Sequence, residues 1–277
     1  PIPAFQNVDD ADDWLYDDRV DQEIIAVDGK TYHRDPDVFD TWFSSSSWPY
    51  ATLGLDNEDF KQFYPLSLME TGGEILYPWV SRMLMLGLYI TGEIPFKAVY
   101  IHGYVMAEDG SKMSKSVGNV INPREVIDHY GSDALRMGII AGRTPAVNRG
   151  YDSRRVEEAR NFCNKLWNMA RYTLDKVGDV SDLPKPEPQT NAEHWVLSKL
   201  QHTTEVISGH LDAYRFSEAY DTLYHFVWDD VADWFIEASK NEPGGGVLAY
   251  VLENILKLAH PFAPFVTETI WQVIPWT

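Results

Sequence analysis

The sequence contains a single cysteine, Cys163, among its 277 residues. One thiol excludes a disulfide within the chain, and it leaves too few thiolates for a structural zinc site. The eight histidines are scattered, without the closely spaced pairs that bind metals, so we expect no tightly bound metal. A reducing compartment suits such a chain, and we expect a cytoplasmic location.

The sequence also lacks long hydrophobic runs, since none approaches the roughly 18 residues that a membrane-spanning helix needs. We therefore expect no membrane partner. The first residues, 1–5, include neither an initiator methionine nor a basic segment followed by an apolar one, which predicts no export signal and suggests a piece of a longer chain. With 44% hydrophobic and 13% aromatic residues, the chain can build a core in one large domain or two smaller ones, and we expect a monomer.

Basic residues are scarce, with 23 Lys and Arg against 42 Asp and Glu, so the formal net charge is -19. A negative charge repels phosphates at long range and argues against a nucleic-acid partner. The charge is unevenly distributed, because acidic residues gather at 9–21 and 229–242 and basic residues at 112–115 and 143–171. A salt-adapted host and a missing basic domain both explain the acidity, and the sequence does not choose between them.

The most informative stretch is the sequence Lys112-Met113-Ser114-Lys115-Ser116. Two lysines among small hydroxyl residues place little bulk between their ammonium groups and a polyphosphate, although two lysines alone are also typical of a solvated turn. All five positions match the Lys-Met-Ser-Lys-Ser loop of the class I aminoacyl-tRNA synthetases, and the sequence resembles that family. The resemblance implies that Lys112 and Lys115 are catalytic, neutralising charge as pyrophosphate leaves ATP, and that Met113, Ser114 and Ser116 bind ATP.

A second stretch, from Asp40 to Ser45, reads Asp-Thr-Trp-Phe-Ser-Ser. Beside small polar residues, Trp42 suits the floor of a small apolar pocket, whereas the alternative is that Trp42, Phe43 and Trp48 are simply core residues. The stretch resembles the valyl enzymes of the same family and is less similar to the isoleucyl and leucyl enzymes. The resemblance implies that Asp40 and Trp42 border a pocket for valine.

A nucleotide-binding half-unit is predicted next. The alternation over Phe63–Thr71 predicts a strand, Gly72, Gly73 and Glu74 follow it, and an apolar helical pattern occupies Ile75–Ile90. Glycines let a backbone approach a nucleotide closely, and a carboxylate just after them can accept both ribose hydroxyls, although most glycine pairs are only turns. The resemblance implies that these three residues bind ATP, with glutamate where the family usually has aspartate.

The region after the glycines supplies further candidate residues. Trp79 matches a tryptophan that the family places beside the amino acid, so the resemblance pairs it with Trp42 as walls of the pocket. The β-rich stretch 97–105 predicts a strand parallel to the first one. His102 and Gly103 lie at its C-terminal end, where open α/β sheets bind ligands, and the resemblance implies that they contact the adenine of ATP.

Two short helices are predicted after the lysine loop. In Asn122–Glu125 the Asn is a cap, the Pro takes the first helical position and the Glu closes the capping box. A second helix begins at Ser132. Both resemble the stem-contact region of the family, which links its catalytic half to its helical half.

From Tyr151 onward the pattern is helical. An apolar stripe at spacings of three and four predicts one buried helix face and makes Cys163 a small core residue in preference to a nucleophile. The stripe comprises Val156, Ala159, Cys163, Leu166, Ala170 and Leu174. The opposite face can follow an RNA backbone or be merely solvated, and comprises Arg154, Arg155, Arg160, Asn164, Lys165, Asn168 and Arg171.

A connector at 178–190 contains Pro184, Pro186 and Pro188, and four further helices are predicted beyond it as an antiparallel bundle. These helices occupy Trp195–Leu211, Phe216–Lys240, Val247–Leu258 and Phe262–Val273. Five aromatic residues are expected in the core, namely Tyr220, Tyr224, Trp228, Trp234 and Phe235. The sequences at 165–168 and 259–265 resemble the anticodon-binding helical domain of the family.

Together these elements predict an α/β plus all-α fold. Its first part is the second half of a Rossmann-like parallel sheet with a stem-contact region, and its second part is an antiparallel α-helical bundle. We expect the end of a connecting insert at 1–35 and the C-terminal half of the catalytic domain, with the lysine loop, at 36–121. A stem-contact linker at 122–150 and an anticodon-binding-type bundle at 151–277 complete the chain.

The resemblance implies activation of valine to valyl-adenylate by ATP and its transfer to tRNA(Val). ATP is then a substrate, and Mg2+ arrives with it. The His-Ile-Gly-His sequence of the family is absent from these residues, so we expect the isolated chain to be inactive. Three alternatives remain open: an isoleucyl-type enzyme, a tRNA- or protein-binding module with a decayed nucleotide site, and another nucleotidyl transferase.

Overall fold

The computed structural model describes residues 1–178, 186–241 and 245–276. The chain divides into two compact units, residues 1–100 and residues 101–277. Among the described residues, no helix is both long and apolar enough to cross a bilayer. The same residues contain no group of three or more His, Cys, Asp or Glu side chains arranged to hold a metal ion.

The first unit begins with a four-stranded antiparallel sheet. Its strands are β1 (Ala4–Asn7), β2 (Trp14–Tyr16), β3 (Ile24–Val27) and β4 (Lys30–Arg34), in the order β2-β1-β4-β3. The short apolar stretches at 23–27 and 31–33 predict a small hairpin, which is confirmed as β3 and β4, whereas β1 and β2 extend the sheet beyond that prediction. A small core of Phe5, Ile25 and Tyr32 lies beneath the sheet. Asp13 ties the turn to the sheet by accepting hydrogen bonds from Lys30, Asn7 and Tyr32, which lower the pKa of its carboxyl.

The rest of the first unit contains helices and a two-stranded sheet. Its elements are α1 (Thr41–Ala51), α2 (Glu58–Phe63), β5 (Met69–Gly72), a 3-10 turn (Gly73–Ile75), a π-helical turn (Leu76–Val80), α3 (Ser81–Thr91) and β6 (Val99–His102). The strand predicted over Phe63–Thr71 is too long, because Phe63 still belongs to α2. The predicted parallel pairing is confirmed, since β5 neighbours β6 and a parallel bridge joins Leu66 to Phe96.

The helix predicted over Ile75–Ile90 exists, but it begins with the 3-10 and π-helical turns. Below it lies a compact apolar cluster. The cluster comprises Met69, Val80, Met83 and Phe96. It fixes β5, and with it the glycine turn, against the start of α3.

The second unit is mostly helical. Its elements are β7 (Val105–Met106), α4 (Pro123–Tyr130), α5 (Ser132–Ile140), β8 (Arg149–Gly150), α6 (Ser153–Val177), α7 (Asn191–Asp212), α8 (Phe216–His225), a π-helical stretch (Phe226–Phe235), α9 (Ile236–Ser239), α10 (Gly246–Ala259) and α11 (Pro264–Trp271). The predicted start of α4 is confirmed, because the Asn122 side chain accepts from the Arg124 N–H and donates to Glu125. The start of α5 at Ser132 is confirmed as well.

Helix α6 buries the predicted stripe in the main core. Val156, Ala159, Leu166 and Ala170 are buried, as the spacing predicts. Cys163 is half-buried, and burial, reinforced by the nearby Asp133 charge, raises the pKa of its thiol to about 12. The thiol is therefore protonated and inert at neutral pH, as expected of a packing residue.

The four later helices occupy the predicted regions, and α7 begins with a capping box between Thr190 and Glu193. Part of the predicted connector, 179–185 with Pro184, lies outside the described residues. The core prediction holds for the buried Tyr220 and Phe235 and is wrong for Trp234, which is 54% exposed. Trp234 instead packs edge-on against Trp195, so that one indole covers the other at the surface.

Two side chains of α5 bind the first turn of α11 and the residues just before it. The buried Asp133 carboxylate accepts hydrogen bonds from the backbone N–H groups of Phe265 (3.2 Å) and Val266 (2.7 Å). One turn further along α5, the Arg136 guanidinium donates to the carbonyls of Pro261 (2.9 Å) and Phe262 (3.3 Å). Asp133 thus satisfies N–H groups at the start of α11, where a negative charge is favourable.

Candidate functional site

The predicted site residues fall into two groups. Asp40, Trp42, Trp79 and the glycine turn at 72–74 lie in the first unit. The second unit contains the others, namely His102, Gly103, Lys112, Met113, Ser114, Lys115 and Ser116.

Asp40 begins α1 as its N-cap. Its carboxylate accepts a hydrogen bond of 2.8 Å from the backbone N–H of Trp42, which satisfies one of the free donors of the first helical turn. This capping fixes Trp42 at the start of the helix. The core alternative is wrong for Phe43 and Trp48, since both side chains are about half exposed.

The two candidate pocket tryptophans are connected through α1. The Trp79 indole N–H donates to the Ser45 carbonyl at 3.0 Å, which attaches the π-helical turn to the first turns of α1. The Arg82 guanidinium lies 5.7 Å from the centre of the Trp42 ring. Trp42 and Trp79 are both half-buried, so each keeps part of an apolar face open to solvent.

The glycine turn leads directly out of β5. Gly72 is its last residue and is buried, whereas Gly73 and Glu74 are exposed in the 3-10 turn. The Glu74 side chain is thus placed at the surface just beyond the C-terminal end of a parallel strand. This is the edge at which open α/β sheets bind nucleotides.

In the second unit, Tyr104 connects His102 to the lysine loop. The His102 ring lies edge-on to the Tyr104 ring at 5.5 Å, and the Lys112 ammonium lies 5.8 Å from the centre of the same ring. Sequence reasoning did not select Tyr104. The only signal for it was its place two residues after His102 in a β-rich stretch.

Gly103 is required by a close backbone approach. A Cβ atom on Gly103 would lie 1.9 Å from the Val147 carbonyl oxygen, a distance that no side chain can tolerate. Nearby, the Tyr104 N–H donates to the Asn148 side chain at 2.8 Å, and β7 pairs in parallel with β8. The absence of a side chain at Gly103 therefore lets segment 146–150 lie against this strand end.

Asn119 organises the lysine loop from within. Its side-chain oxygen accepts from the Ser114 N–H (2.8 Å), and its amide nitrogen donates to the Ser111 hydroxyl (2.9 Å) and the Lys112 carbonyl (3.2 Å). Ser111 in turn donates to Asp109 from both its hydroxyl and its N–H. These two bonds lower the pKa of the Asp109 carboxyl. Sequence reasoning included Asn119 in the stretch but did not identify this role.

Lys115 lies in the turn that Asn119 closes. Its side chain is exposed, and it makes no ion pair with any residue that the structure describes. The neighbouring Ser114 and Ser116 hydroxyls bond to each other at 2.7 Å, while Met113 is half-buried. The loop thus fixes its backbone through Asn119 and leaves the Lys115 ammonium facing water.

We expect Asn119→Ala to loosen the loop without unfolding the chain. The Ser114 amide loses its acceptor, and a hydrogen bond with a net value of about 0.5–1.5 kcal/mol corresponds to roughly 2- to 12-fold faster hydrogen exchange at that amide. Asn119→Asp is the matched control, because it keeps the oxygen acceptor and loses only the two donor bonds. Amide exchange measured by NMR should therefore separate the two variants, and equal rates at Ser114 would contradict the assigned role.

Known proteins match this chain in two regions. The family described as tRNA synthetases class I (I, L, M and V) matches residues 4–149, and the anticodon-binding domain of tRNA ligase matches residues 193–276. A valine–tRNA ligase of Geobacillus stearothermophilus is 44% identical over 263 residues, which cover 90% of this chain and 30% of that protein. One from Staphylococcus aureus (strain MRSA252) is 44% identical over 269 residues, 91% of this chain and 31% of that protein. The chain thus spans about 30% of the length of these relatives.

Two solved structures share the fold. The Agrobacterium radiobacter K84 agnB2 LeuRS, in a ternary complex with tRNA and LeuAMS, gives a TM-score of 0.83 at 18% identity, covering 100% of this chain and 41% of that one. A Mycobacterium tuberculosis methionyl-tRNA synthetase in complex with methionyl-adenylate gives a TM-score of 0.67 at 21% identity. The match covers 85% of this chain and 48% of that one. These similarities confirm the predicted fold class, α/β plus all-α. Because the synthetase family alone matches more than half of its residues, the chain belongs to the class I tRNA synthetases.

Proposed function

We propose that the chain is part of a valine–tRNA ligase that activates valine with ATP and transfers it to tRNA(Val). The observation that carries the proposal is the lysine loop, in which Asn119 fixes the backbone and the Lys115 ammonium faces solvent without an ion pair among the described residues. An unpaired cation on an ordered turn suits a polyphosphate whose charge changes during reaction. The valine–tRNA ligases that match the chain support the choice of amino acid.

In the proposed reaction no side chain needs to act as an acid or a base. The valine carboxylate attacks the α-phosphate of ATP, and pyrophosphate leaves with the bonding electrons. Holding the two reactants in line lowers the barrier, and positive charge stabilises the leaving group. We assign the charge stabilisation to Lys112 and Lys115, with Met113, Ser114 and Ser116 as further ATP contacts in the loop.

The remaining candidate residues receive positioning roles. We assign Trp42 and Trp79 to the walls of the valine pocket, with Asp40 fixing Trp42 through the helix cap. We assign Glu74 to the ribose, with Gly72 and Gly73 allowing its approach, and His102 and Gly103 to the adenine edge. Mg2+ would enter with ATP, since it binds through substrate phosphates and needs few protein ligands.

The roles that we propose for the segments of the chain follow the predicted domains. Residues 36–121 supply the second half of the catalytic domain, with 1–35 as the end of an insert. Residues 122–150 support the base of the lysine loop as a stem-contact linker. Residues 151–277 bind tRNA as an anticodon-binding helical bundle. Because these residues contain no His-Ile-Gly-His sequence, we propose that the isolated chain does not activate valine.

A chimeric ligase tests the proposal. In it, this chain replaces the segment that it matches in the Geobacillus stearothermophilus valine–tRNA ligase. The chimeric ligase should catalyse valine-dependent ATP–pyrophosphate exchange and prefer valine to isoleucine by roughly 10- to 200-fold in kcat/KM, because one methylene changes the fit of an apolar pocket by that much. The isolated chain should give no exchange above the buffer rate.

Circular dichroism and thermal melting of the chimeric ligase control for its folding. A folded chimera that is inactive, or that prefers isoleucine, would contradict the proposal. Exchange by the isolated chain that disappears on Lys115→Ala would contradict only the proposed inactivity of the isolated chain. The two results are therefore distinguishable.

A further inference from the structure

Three arginines converge on the turn that follows α5. The Arg143 guanidinium donates to the carbonyls of Ile139 (2.9 Å) and Arg149 (3.0 Å). Arg149 donates to the Gly142 carbonyl, and Arg155 donates to the Ala141 carbonyl at 2.5 Å. Four backbone carbonyls thus accept hydrogen bonds from three guanidinium groups around one turn. We call these three residues, Arg143, Arg149 and Arg155, the arginine cluster.

Gly142 lies at the centre of the arginine cluster. Its φ of +64° favours glycine, and a Cβ atom there would lie 2.3 Å from Arg155 Nη1 and 2.7 Å from Arg149 Nη1. Both nitrogens therefore lie close to a single point, within about 5 Å of each other. A side chain at Gly142 would overlap the guanidinium groups. The turn therefore needs glycine for two reasons, the positive φ and the lack of room for a Cβ atom.

Within the arginine cluster, the described residues show an electrostatic attraction to acids only for Arg155, which interacts with Asp152 and Asp221. None of its three members forms an ion pair with the described residues, and all their protein hydrogen bonds go to neutral carbonyls. Of the carboxylates nearby in sequence, Asp152 is paired with Arg154 at 3.1 Å, and Glu157 is paired with Arg160 at 3.4 Å. Burial, together with the charges of Arg149 and Arg155, lowers the pKa of Arg143. Cations that repel one another and lack an ion pair favour an anion at this place, even though the chain as a whole carries a net charge of -19.

The unused donors of the arginine cluster suit a phosphate. A guanidinium has five N–H groups in a planar fork, and each of these three arginines uses only one or two of them on the protein. The bonds to carbonyls fix the half-buried Arg143 and Arg155, while Arg149 is exposed. Fixed forks of this kind bind phosphate oxygens in pairs, more selectively than a flexible ammonium does.

A neighbouring cavity of about 540 Å³ is a poorer place for an anion. Arg155 lines it, but so do the acidic residues Asp152, Glu158 and Asp221, whereas Arg143 and Arg149 do not. Negative charge there would repel a phosphate. The anion therefore belongs on the open side of the arginine cluster, at Arg149.

We propose that Arg143, Arg149 and Arg155 form a phosphate-binding site around Gly142, and that the phosphate belongs to an RNA backbone. An open site formed around an exposed arginine suits a strand that passes over the surface better than a small nucleotide, which needs an enclosing pocket. The choice of RNA rests on the proposed function, whereas the phosphate site itself does not.

Titration of the 277-residue chain with inorganic phosphate tests the site. The Nε–H resonances of the arginines, followed by NMR, should shift and saturate at millimolar phosphate. Arg149→Gln should weaken this binding about 10-fold, because one charge-assisted contact is lost. Arg124→Gln, an exposed arginine outside the arginine cluster with the same charge change, should alter it by less than twofold. Equal weakening in the two variants, or no saturable shift in the unaltered chain, would overturn the site.

Filter binding of a tRNA transcript at 50 and 200 mM salt identifies the source of the phosphate. Arg149→Gln should reduce the slope of log K against log salt by about 0.7–0.9, the value for one phosphate contact, and Arg124→Gln should leave the slope unchanged. If Arg149→Gln weakens phosphate binding but leaves the slope unchanged, the site takes free phosphate and the RNA assignment is wrong. If the chain binds no tRNA at either salt concentration, both the RNA assignment and the tRNA partner of the proposed function fail, while the phosphate titration still decides the site.

Discussion

Replacing Lys115 with alanine is expected to lower the kcat of valine-dependent exchange in the chimeric ligase by roughly 100- to 1,000-fold. Negative charge grows on the pyrophosphate as the bond to the α-phosphate breaks, and a cation that meets this charge only in the transition state lowers the barrier. The KM for ATP should change much less than kcat, because such a contact adds little to ground-state binding. Exchange rates at varied ATP concentration separate the two parameters.

Lys115→Ala should remove the ammonium group without disturbing the fold. The Lys115 side chain is exposed and has no ion pair among the described residues, so its removal should leave the melting temperature of the isolated chain unchanged. Lys61→Ala is the matched control, since Lys61 is also exposed and, within the described part of the chain, pairs with Glu58 on α2 alone. A kcat within twofold of the unaltered chimera for Lys115→Ala, or an equal loss for Lys61→Ala, would contradict the role of the loop.

The second large effect concerns stability. Phe162 on α6 is fully buried, and its ring stacks on Tyr224 at 5.5 Å and lies edge-on to Tyr220 at 6.5 Å. Phe162→Ala should lower the free energy of unfolding by about 3–5 kcal/mol, because it removes buried surface and leaves a cavity among helices that cannot close. Urea unfolding followed by far-UV circular dichroism measures the loss.

Two further variants test the packing explanation. Phe162→Leu keeps most of the volume and should lose less than about 1.5 kcal/mol. Arg171, on the same helix, is exposed, and Arg171→Ala should change the free energy of unfolding by about 0.5 kcal/mol or less. If Phe162→Ala were no worse than Arg171→Ala, the core assigned to α6 would be wrong.

Local signals were the most predictable from the sequence. The start of α4 needs only Asn122, Pro123 and Glu125, whose interactions all lie within one helical turn, and the structure confirms it. The β3–β4 hairpin and the buried stripe of α6 follow equally from short-range spacing. The lysine loop was found because five adjacent residues carry a chemical pattern, although its function stays a proposal.

Features that depend on distant partners were not predictable. Phe63 fits the alternating pattern of a strand, yet it is the last residue of α2. Trp234 is as apolar as its buried neighbours, but it lies on the outer side of a π-helical stretch. Tyr104 became a candidate only once the structure placed it between His102 and Lys112. The arginine cluster joins residues from three local segments, and the sequence shows only that this region is basic.

The contacts between Asp133 of α5 and the first turn of α11 set an order of events during synthesis. The partners of Asp133 are 132 and 133 residues further along the chain. At a ribosomal rate of about 5–20 residues per second, the Asp133 carboxylate stays without them for roughly 7 to 26 seconds after it is made. The side of α5 that carries Asp133 therefore stays uncovered until α11 has been made.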